Sequence, residues 1–173
     1  MVTPPTLISP DELSHLLNTP GVQVIQVTSL EVYREGHIPG AVPILPDDLI
    51  CGIPPAPGRL PTVEKLNRVF GNIAYAPDTK IVVYDDEGGG WAGRLAWTLD
   101  VIGHDHWCYL DGGLHAWKAN GLPLVTTPTP VEPHHVNLSV RSTPIAEIDN
   151  IAPRLSDDDL LIWDCRSIDE YHG

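Results

Sequence analysis

The feature that most constrains the fold is an alternation of short apolar runs with segments of helical spacing. Three runs predict buried strands, namely VQVIQV (22–27), IVVYD (81–85) and HWCYL (106–110). The segments between and around them predict helices at 10–18, 62–73, 91–103 and 114–121. Strands that alternate with helices favour an α/β fold with a mainly parallel sheet covered by helices on both faces.

The 173 residues are enough for one complete α/β domain and part of a second. Proline-rich residues 41–61 predict a long irregular connection inside the first domain. Residues 126–138 are dense in proline and lack periodicity, which predicts an interdomain linker. We therefore expect a first domain over 6–125 and the beginning of a second over 139–173.

The start of the first domain resembles the end of the chain. VIQVTSLEVYREG and LIWDCRSIDEYHG each contain an apolar run, small polar residues, an acid and a tyrosine followed shortly by glycine. The parallel indicates an internal repeat. It predicts a strand over 160–164, preceded by a helix within 144–155.

Charge and cysteine content exclude several classes of protein. Acidic residues outnumber basic ones by 23 to 10, and the formal net charge of −13 argues against binding to nucleic acid or to an anionic membrane. Three distant cysteines suggest neither a disulfide framework nor a zinc site. His104, His106, His134 and His135 lack ligand spacing and are expected to be solvated loop residues. The sequence shows no secretory signal or membrane-spanning run, so we expect a soluble, cytoplasmic protein without metal or cofactor.

The segment VVYDDEGGGWAGR (82–94) joins a strand to a helix through glycines and allows two interpretations. Its glycines fit G-x-G-x-x-G, and Asp111 follows the next strand where a dinucleotide fold places its ribose-binding acid. A dinucleotide-binding domain is therefore one alternative. Against it, the acids of this loop would repel a pyrophosphate; they are Asp85, Asp86 and Glu87.

The second interpretation comes from YREGHIPGAVPI (33–44), which resembles the signature of the rhodanese family. The positions that match are Tyr33, His37, Ile38, Pro39, Gly40, Ala41 and Ile44. The glycine loop is similar to the corresponding loop in the N-terminal domain of bacterial tandem-domain thiosulfate sulfurtransferases. In the second repeat, Asp164 and Arg166 resemble the family's D-x-R element, whereas Glu170 stands where mitochondrial relatives have a substrate-holding arginine.

The resemblance implies a rhodanese-like α/β fold and a sulfur-transfer activity. Family members pass a sulfane sulfur from thiosulfate to a thiophilic acceptor such as cyanide through a cysteine persulfide, and in tandem members the first domain packs on the second. Here Asp85 occupies the cysteine position of the first domain. Its carboxylate could accept the inward N–H bonds of the loop but could not form a persulfide. The active-site-like loop comprises Asp85, Asp86, Glu87, Gly88, Gly89, Gly90, Trp91 and Arg94, with Arg94 expected to reach back to the loop.

The first domain is therefore expected to be catalytically silent. In tandem members the catalytic cysteine lies in the second domain, in a loop well downstream of the D-x-R element, so the resemblance implies that it lies beyond residue 173. None of the three cysteines in this sequence is expected to replace it. Cys51 is expected to be incidental, Cys108 a buried apolar residue and Cys165 packed. His37 is expected to bond backbone and not to act as a base. A cysteine-less rhodanese module that binds or regulates a protein partner remains the alternative of a different class.

Overall fold

The computed structural model describes residues 6–173 and contains a five-stranded, all-parallel sheet. The strands are β1 (Thr6–Ile8), β2 (Val22–Val27), β3 (Ala41–Ile44), β4 (Lys80–Asp85) and β5 (Trp107–Leu110). Their order across the sheet is β1-β5-β4-β2-β3. The three strands predicted from apolar runs form the centre of the sheet, which confirms the expected fold class.

Seven α-helices accompany the strands within the described residues. They are α1 (Pro10–Leu16), α2 (Leu30–Glu35), α3 (Val63–Asn72), α4 (Gly90–Val101), α5 (Gly113–Ala119), α6 (Ile148–Ile151) and α7 (Ile168–His172). Short 3₁₀ helices cover Pro46–Leu49 and Ala152–Arg154. No helix among residues 6–173 is both long and apolar enough to cross a membrane.

Two apolar layers hold the helices on the sheet. Side chains of α3 and α4 pack with one face of the sheet, including Leu66, Phe70, Leu95 and Leu99. Side chains of α1 and α5 pack on the other, including Leu13, Leu114 and Trp117. Each layer removes large aliphatic or aromatic side chains from water, which is the main favourable contribution to folding.

Two sequence predictions about chain geometry are wrong. The connection 41–61 is not irregular throughout, because its first residues form the edge strand β3. Pro43 is tolerated there because an edge strand needs hydrogen-bond partners on one side only. The strand predicted over 160–164 does not form, and Leu161 and Trp163 are each 80% exposed. A strand requires a paired neighbour, and this segment has none among the described residues.

The segment predicted as a linker runs along the first domain. Val136 is buried against the layer of α3 and α4, and Val131 and Leu138 are partly buried against the same layer. The domain limits derived from the sequence stay a prediction.

Candidate functional site

The candidate site lies where β4 ends and α4 begins. Asp85 is the last residue of β4, and Gly88 and Gly89 then take φ values of 90° and 108°. These left-handed conformations favour glycine and let the chain turn tightly into the helix. The loop therefore points amides of its own backbone and of the first turn of α4 back toward the end of the strand.

The carboxylate of Asp85 accepts those amides. Its Oδ1 accepts hydrogen bonds from Glu87 N at 3.2 Å and Gly89 N at 2.9 Å, and its Oδ2 accepts one from Ala92 N at 2.9 Å. The residue is 1% exposed. The first turn of a helix has amides without intrahelical partners and a positive dipole end, and a carboxylate satisfies both. The Asp85 carboxylate thus satisfies the inward-pointing amides of its own loop and of the following helix start.

Residues of the neighbouring chain segments close over this loop. An added Cβ on Gly89 would lie 2.6 Å from the Tyr109 hydroxyl, and one on Gly113 would lie 2.7 Å from the Asp85 backbone oxygen. His115 Nε2 donates a hydrogen bond to Asp86 O at 2.8 Å. Burial raises the pKa of Tyr109, and the charge of Asp85 adds to that effect.

The sequence does not single out Tyr109, Gly113 and His115 as residues of this site. The signal was available, because β5 pairs with β4 in parallel and the carboxyl ends of paired parallel strands meet at one edge of the sheet. Glu87 and Gly90 are exposed, and Trp91 packs partly against the layer of α3 and α4.

Arg94 does not reach back to the loop, so that prediction is wrong. Its Nε donates to Leu49 O at 3.0 Å, and its guanidinium lies 4.6 Å from the ring centroid of Trp97. Burial lowers the pKa of Arg94. One helical turn into α4, the side chain points along the helix toward the segment after β3, which the local sequence does not reveal.

The signature residues 33–41 build a turn that holds β3. Tyr33 and His37 stack with ring centroids 3.7 Å apart, and His37 Nδ1 donates to Tyr33 O at 2.7 Å. Ala41 N donates to Ile38 O at 2.9 Å, and Gly40 has φ 81° directly after Pro39, as in a type II turn. His37 therefore bonds backbone, as the sequence predicts.

The D-x-R element lies apart from a sheet but is locally ordered. Arg166 forms an ion pair with Asp164, in which Nη2 donates to Oδ2 at 2.7 Å. The backbone N of Arg166 also donates to Oδ1 of Asp164 at 3.0 Å. Hydrogen bonds from the Arg166 side chain, followed by that from its backbone, lower the pKa of Asp164 to about 2. The Glu170 side chain caps α7 by accepting from Ser167 N at 2.9 Å.

The three cysteines lie outside the loop. Cys108 is buried in β5, as predicted, and burial raises the pKa of its thiol. Cys165 is exposed, so the prediction that it is packed is wrong. Cys51 Sγ lies 3.3 Å from Pro57 O in the proline-rich segment. Neither the loop nor its closing residues contribute a thiol.

The four histidines that were expected to be solvated loop residues differ in their exposure. His104 is 2% exposed and its Nδ1 lies 3.1 Å from the Tyr75 hydroxyl, so it is not a solvated loop residue. His106, His134 and His135 are exposed. Among residues 6–173, no three His, Cys, Asp or Glu side chains are placed to hold a metal ion.

The hydrogen bonds of the loop also count against dinucleotide binding. The amides of Gly89 and Ala92, which a pyrophosphate would need, already donate to Asp85. A second anion at this place would face the Asp85 charge and could not use these two amides.

Comparisons with known proteins identify a matching domain family and similar chains. Residues 9–120 match the model of the Rhodanese-like domain. The chain is 45% identical over 169 residues to a thiosulfate sulfurtransferase from Azotobacter vinelandii, and 44% identical over 170 residues to one from Pseudomonas aeruginosa. Each match covers 98% of this chain and 62% of the relative, so the chain spans less than two thirds of these relatives' length.

A solved structure supports the fold. The crystal structure of SseA from Escherichia coli, reported with the catalytic mechanism of 3-mercaptopyruvate sulfotransferases, superposes with a TM-score of 0.88 at 22% sequence identity. The superposition covers 96% of this chain and 68% of that one.

Proposed function

The chain belongs to the rhodanese family, and from that premise we propose that it is the N-terminal part of a tandem-domain thiosulfate sulfurtransferase. Residues 6–125 would be a non-catalytic rhodanese domain, 126–138 a linker and 139–173 the beginning of the catalytic domain. The proposal is supported by the 62% coverage of the two bacterial relatives and by the repeat whose second copy contains Asp164 and Arg166.

The main support for the proposal is the hydrogen bonding of the Asp85 carboxylate. A persulfide-forming loop needs a soft sulfur nucleophile whose anion the inward amides stabilise. In this domain a hard carboxylate sits at that position and accepts three of those amides. A carboxylate cannot carry a sulfane sulfur, so the loop keeps its shape without its chemistry.

The intact enzyme would transfer sulfur in two steps at a cysteine of the second domain. The cysteine thiolate attacks the outer sulfur of thiosulfate, the S–S bond breaks, and sulfite leaves with the bonding electron pair. Cyanide or another thiophile then attacks the terminal persulfide sulfur, and the thiolate is regenerated. The first domain would support the second by packing on it, and a cytoplasmic location stays a prediction.

The test is thiocyanate production from thiosulfate and cyanide by the 173-residue chain. We expect none above the protein-free blank, and intact mass spectrometry after thiosulfate treatment should show no added sulfur atom. The assay needs a positive control, for which an active thiosulfate sulfurtransferase such as the Azotobacter vinelandii relative is suitable.

Three variants make the result decisive, namely Cys51→Ala, Cys108→Ala and Cys165→Ala. Thiocyanate formation by the parent chain that one of these substitutions abolishes would assign sulfur transfer to that thiol. The proposal that this part of the protein is silent would then be wrong.

A further inference from the structure

The segment that follows the first domain does not leave its surface. From Leu124 to Glu147 the backbone and side chains contact α2, α3, α4 and the proline-rich connection in turn. We call residues 124–147 the strap.

The strap begins at the signature turn. Val125 and His37 exchange two backbone hydrogen bonds, of 3.0 and 2.9 Å, in an isolated antiparallel bridge. Thr129 N then donates to the Tyr33 hydroxyl at 3.2 Å, and that hydroxyl itself donates to Ala41 O. The beginning of the strap is thereby joined to the two aromatic residues of the signature.

The middle of the strap lies on α3. His134 N donates to Gly71 O at 3.2 Å, and an added Cβ on Gly71 would lie 2.5 Å from His134 O. Only glycine allows the two backbones to approach so closely. Val136 is 9% exposed within the layer of α3 and α4, and Leu138 N donates to Asn67 Oδ1 at 2.9 Å.

The end of the strap lies on α4 and on the proline-rich connection. Arg141 N donates to Val101 O at 2.7 Å, and the Arg141 guanidinium bonds both Gly103 O and Asp105. Trp97 Nε1 donates to Pro144 O at 2.9 Å. The last contact of the strap is an exposed ion pair between Arg59 and Glu147.

These contacts share a property that a flexible linker lacks. They combine backbone hydrogen bonds with a buried aliphatic side chain, and they follow one another along the whole strap. An opened strap would expose Val136 and leave the Gly71 and Val101 carbonyls without these donors. Breaking one contact would therefore weaken its neighbours, which is the condition for cooperative opening.

We propose that the strap is part of the first folding unit and opens as one cooperative element, so that this unit extends to residue 147 and not only to residue 125, the limit that the sequence predicts. The exposed ion pair adds little, because such pairs contribute about 0–1 kcal/mol. Hydrogen bonds to backbone and the burial of Val136 hold the strap. The inference does not depend on the proposed sulfur transfer, since it concerns only how residues 124–147 are attached.

Hydrogen exchange of the 173-residue chain tests the proposal directly. We expect the amides of His134, Leu138 and Arg141 to exchange about 100-fold more slowly than those of Leu161 and Ile162, because exchange of a bonded amide requires opening of its element. Equal rates in the two groups would overturn the proposal.

A pair of glycine variants tests the close approach. In Gly71→Ala the new methyl group meets the strap backbone, so the exchange of the three strap amides should accelerate by about tenfold. Gly93→Ala is the matched control, because an added Cβ at this helical glycine meets nothing within 4 Å. Equal strap exchange in the two variants would contradict the inferred contact.

A second pair applies even where Gly71→Ala fails to fold. Asn67→Ala removes the acceptor of Leu138 N, and Asn72→Ala replaces an exposed residue of the same helix. Cooperative opening requires that His134 and Arg141 also exchange about fivefold faster in Asn67→Ala, as expected for one lost hydrogen bond. Acceleration confined to Leu138 would show that the strap is not one element.

Discussion

At the scale of single residues, Asp85 shows how one buried carboxylate can hold a tight turn and the start of a helix together. The side chain is buried and its two oxygens accept three backbone amides. Those amides belong to a tight turn and a helix start that have no other acceptor for them among the described hydrogen bonds. The carboxylate is consequently a structural element of the loop.

We expect Asp85→Asn to lower the free energy of unfolding by about 2 kcal/mol. The amide oxygen can replace one carboxylate oxygen, but the amide nitrogen would face a backbone N–H that it cannot accept, and a charge-assisted bond is lost. Urea denaturation followed by circular dichroism measures the change. Glu87→Gln, in the exposed part of the same loop, is the control and should stay within about 0.5 kcal/mol. Indistinguishable midpoints for the two variants would contradict the structural role of Asp85.

At the scale of elements, the central strands were predictable and the edge strands were not. β2 and β4 carry apolar runs because both of their faces are buried, and this signal is local. β1 and β3 are short, and β3 contains Pro43, so neither has a recognisable pattern. Residues 160–164 are also an apolar run, but they pair with no strand among the described residues. Apolar residues predict that a segment can be buried, but the partner that forms a strand is set by the tertiary structure.

The residues of the candidate site also differ in whether their contacts could be predicted from the sequence. The amides that Asp85 accepts lie within seven positions of it, and the family resemblance led to the expectation that its carboxylate could accept them. The direction of Arg94 and the cover provided by Tyr109 and His115 depend on how α4, β5 and α5 are arranged. Such contacts follow from topology and cannot be read from a motif.

The link between Tyr75 and His104 joins the segment after α3 to the turn after α4, and it predicts a pH dependence. His104 Nε2 lies 3.1 Å from His106 O and must donate to it, so Nδ1 is unprotonated and accepts from the Tyr75 hydroxyl. Burial lowers the pKa of His104. The unfolded chain therefore binds a proton below about pH 6.5 that the folded chain does not, and stability should fall as the pH drops below that value.

We expect His104→Gln to flatten this dependence. Unfolding by urea should be measured between about pH 5 and pH 7.5, above the range in which most carboxyl groups titrate. His15→Gln, on the exposed face of α1, is the control and should keep the slope of the parent chain. A slope that His104→Gln leaves unchanged would assign the effect to another group.

At the scale of the whole molecule, burial is distributed unevenly along the chain. The sheet, its helices and the strap enclose two apolar layers, whereas apolar side chains after residue 147 are exposed, namely Ile148, Leu155, Leu161, Ile162, Trp163, Ile168 and Tyr171. If burial decides where the first folding unit ends, stability should depend on the strap and not on the residues after it.

Two shortened chains distinguish these positions. A chain that ends at residue 125 loses Val136 from the layer of α3 and α4, together with the partial cover by Val131 and Leu138. Because full burial of one aliphatic side chain contributes about 1.5–3 kcal/mol, we expect this chain to be less stable than the parent by about 3 kcal/mol. A chain that ends at residue 147 keeps the strap and should match the parent within about 0.5 kcal/mol. Urea unfolding of the three chains, followed by near-ultraviolet circular dichroism of the buried aromatic residues, measures both differences. Equal stability of the chains ending at 125 and 147 would mean that the strap does not contribute to the stability of the first folding unit.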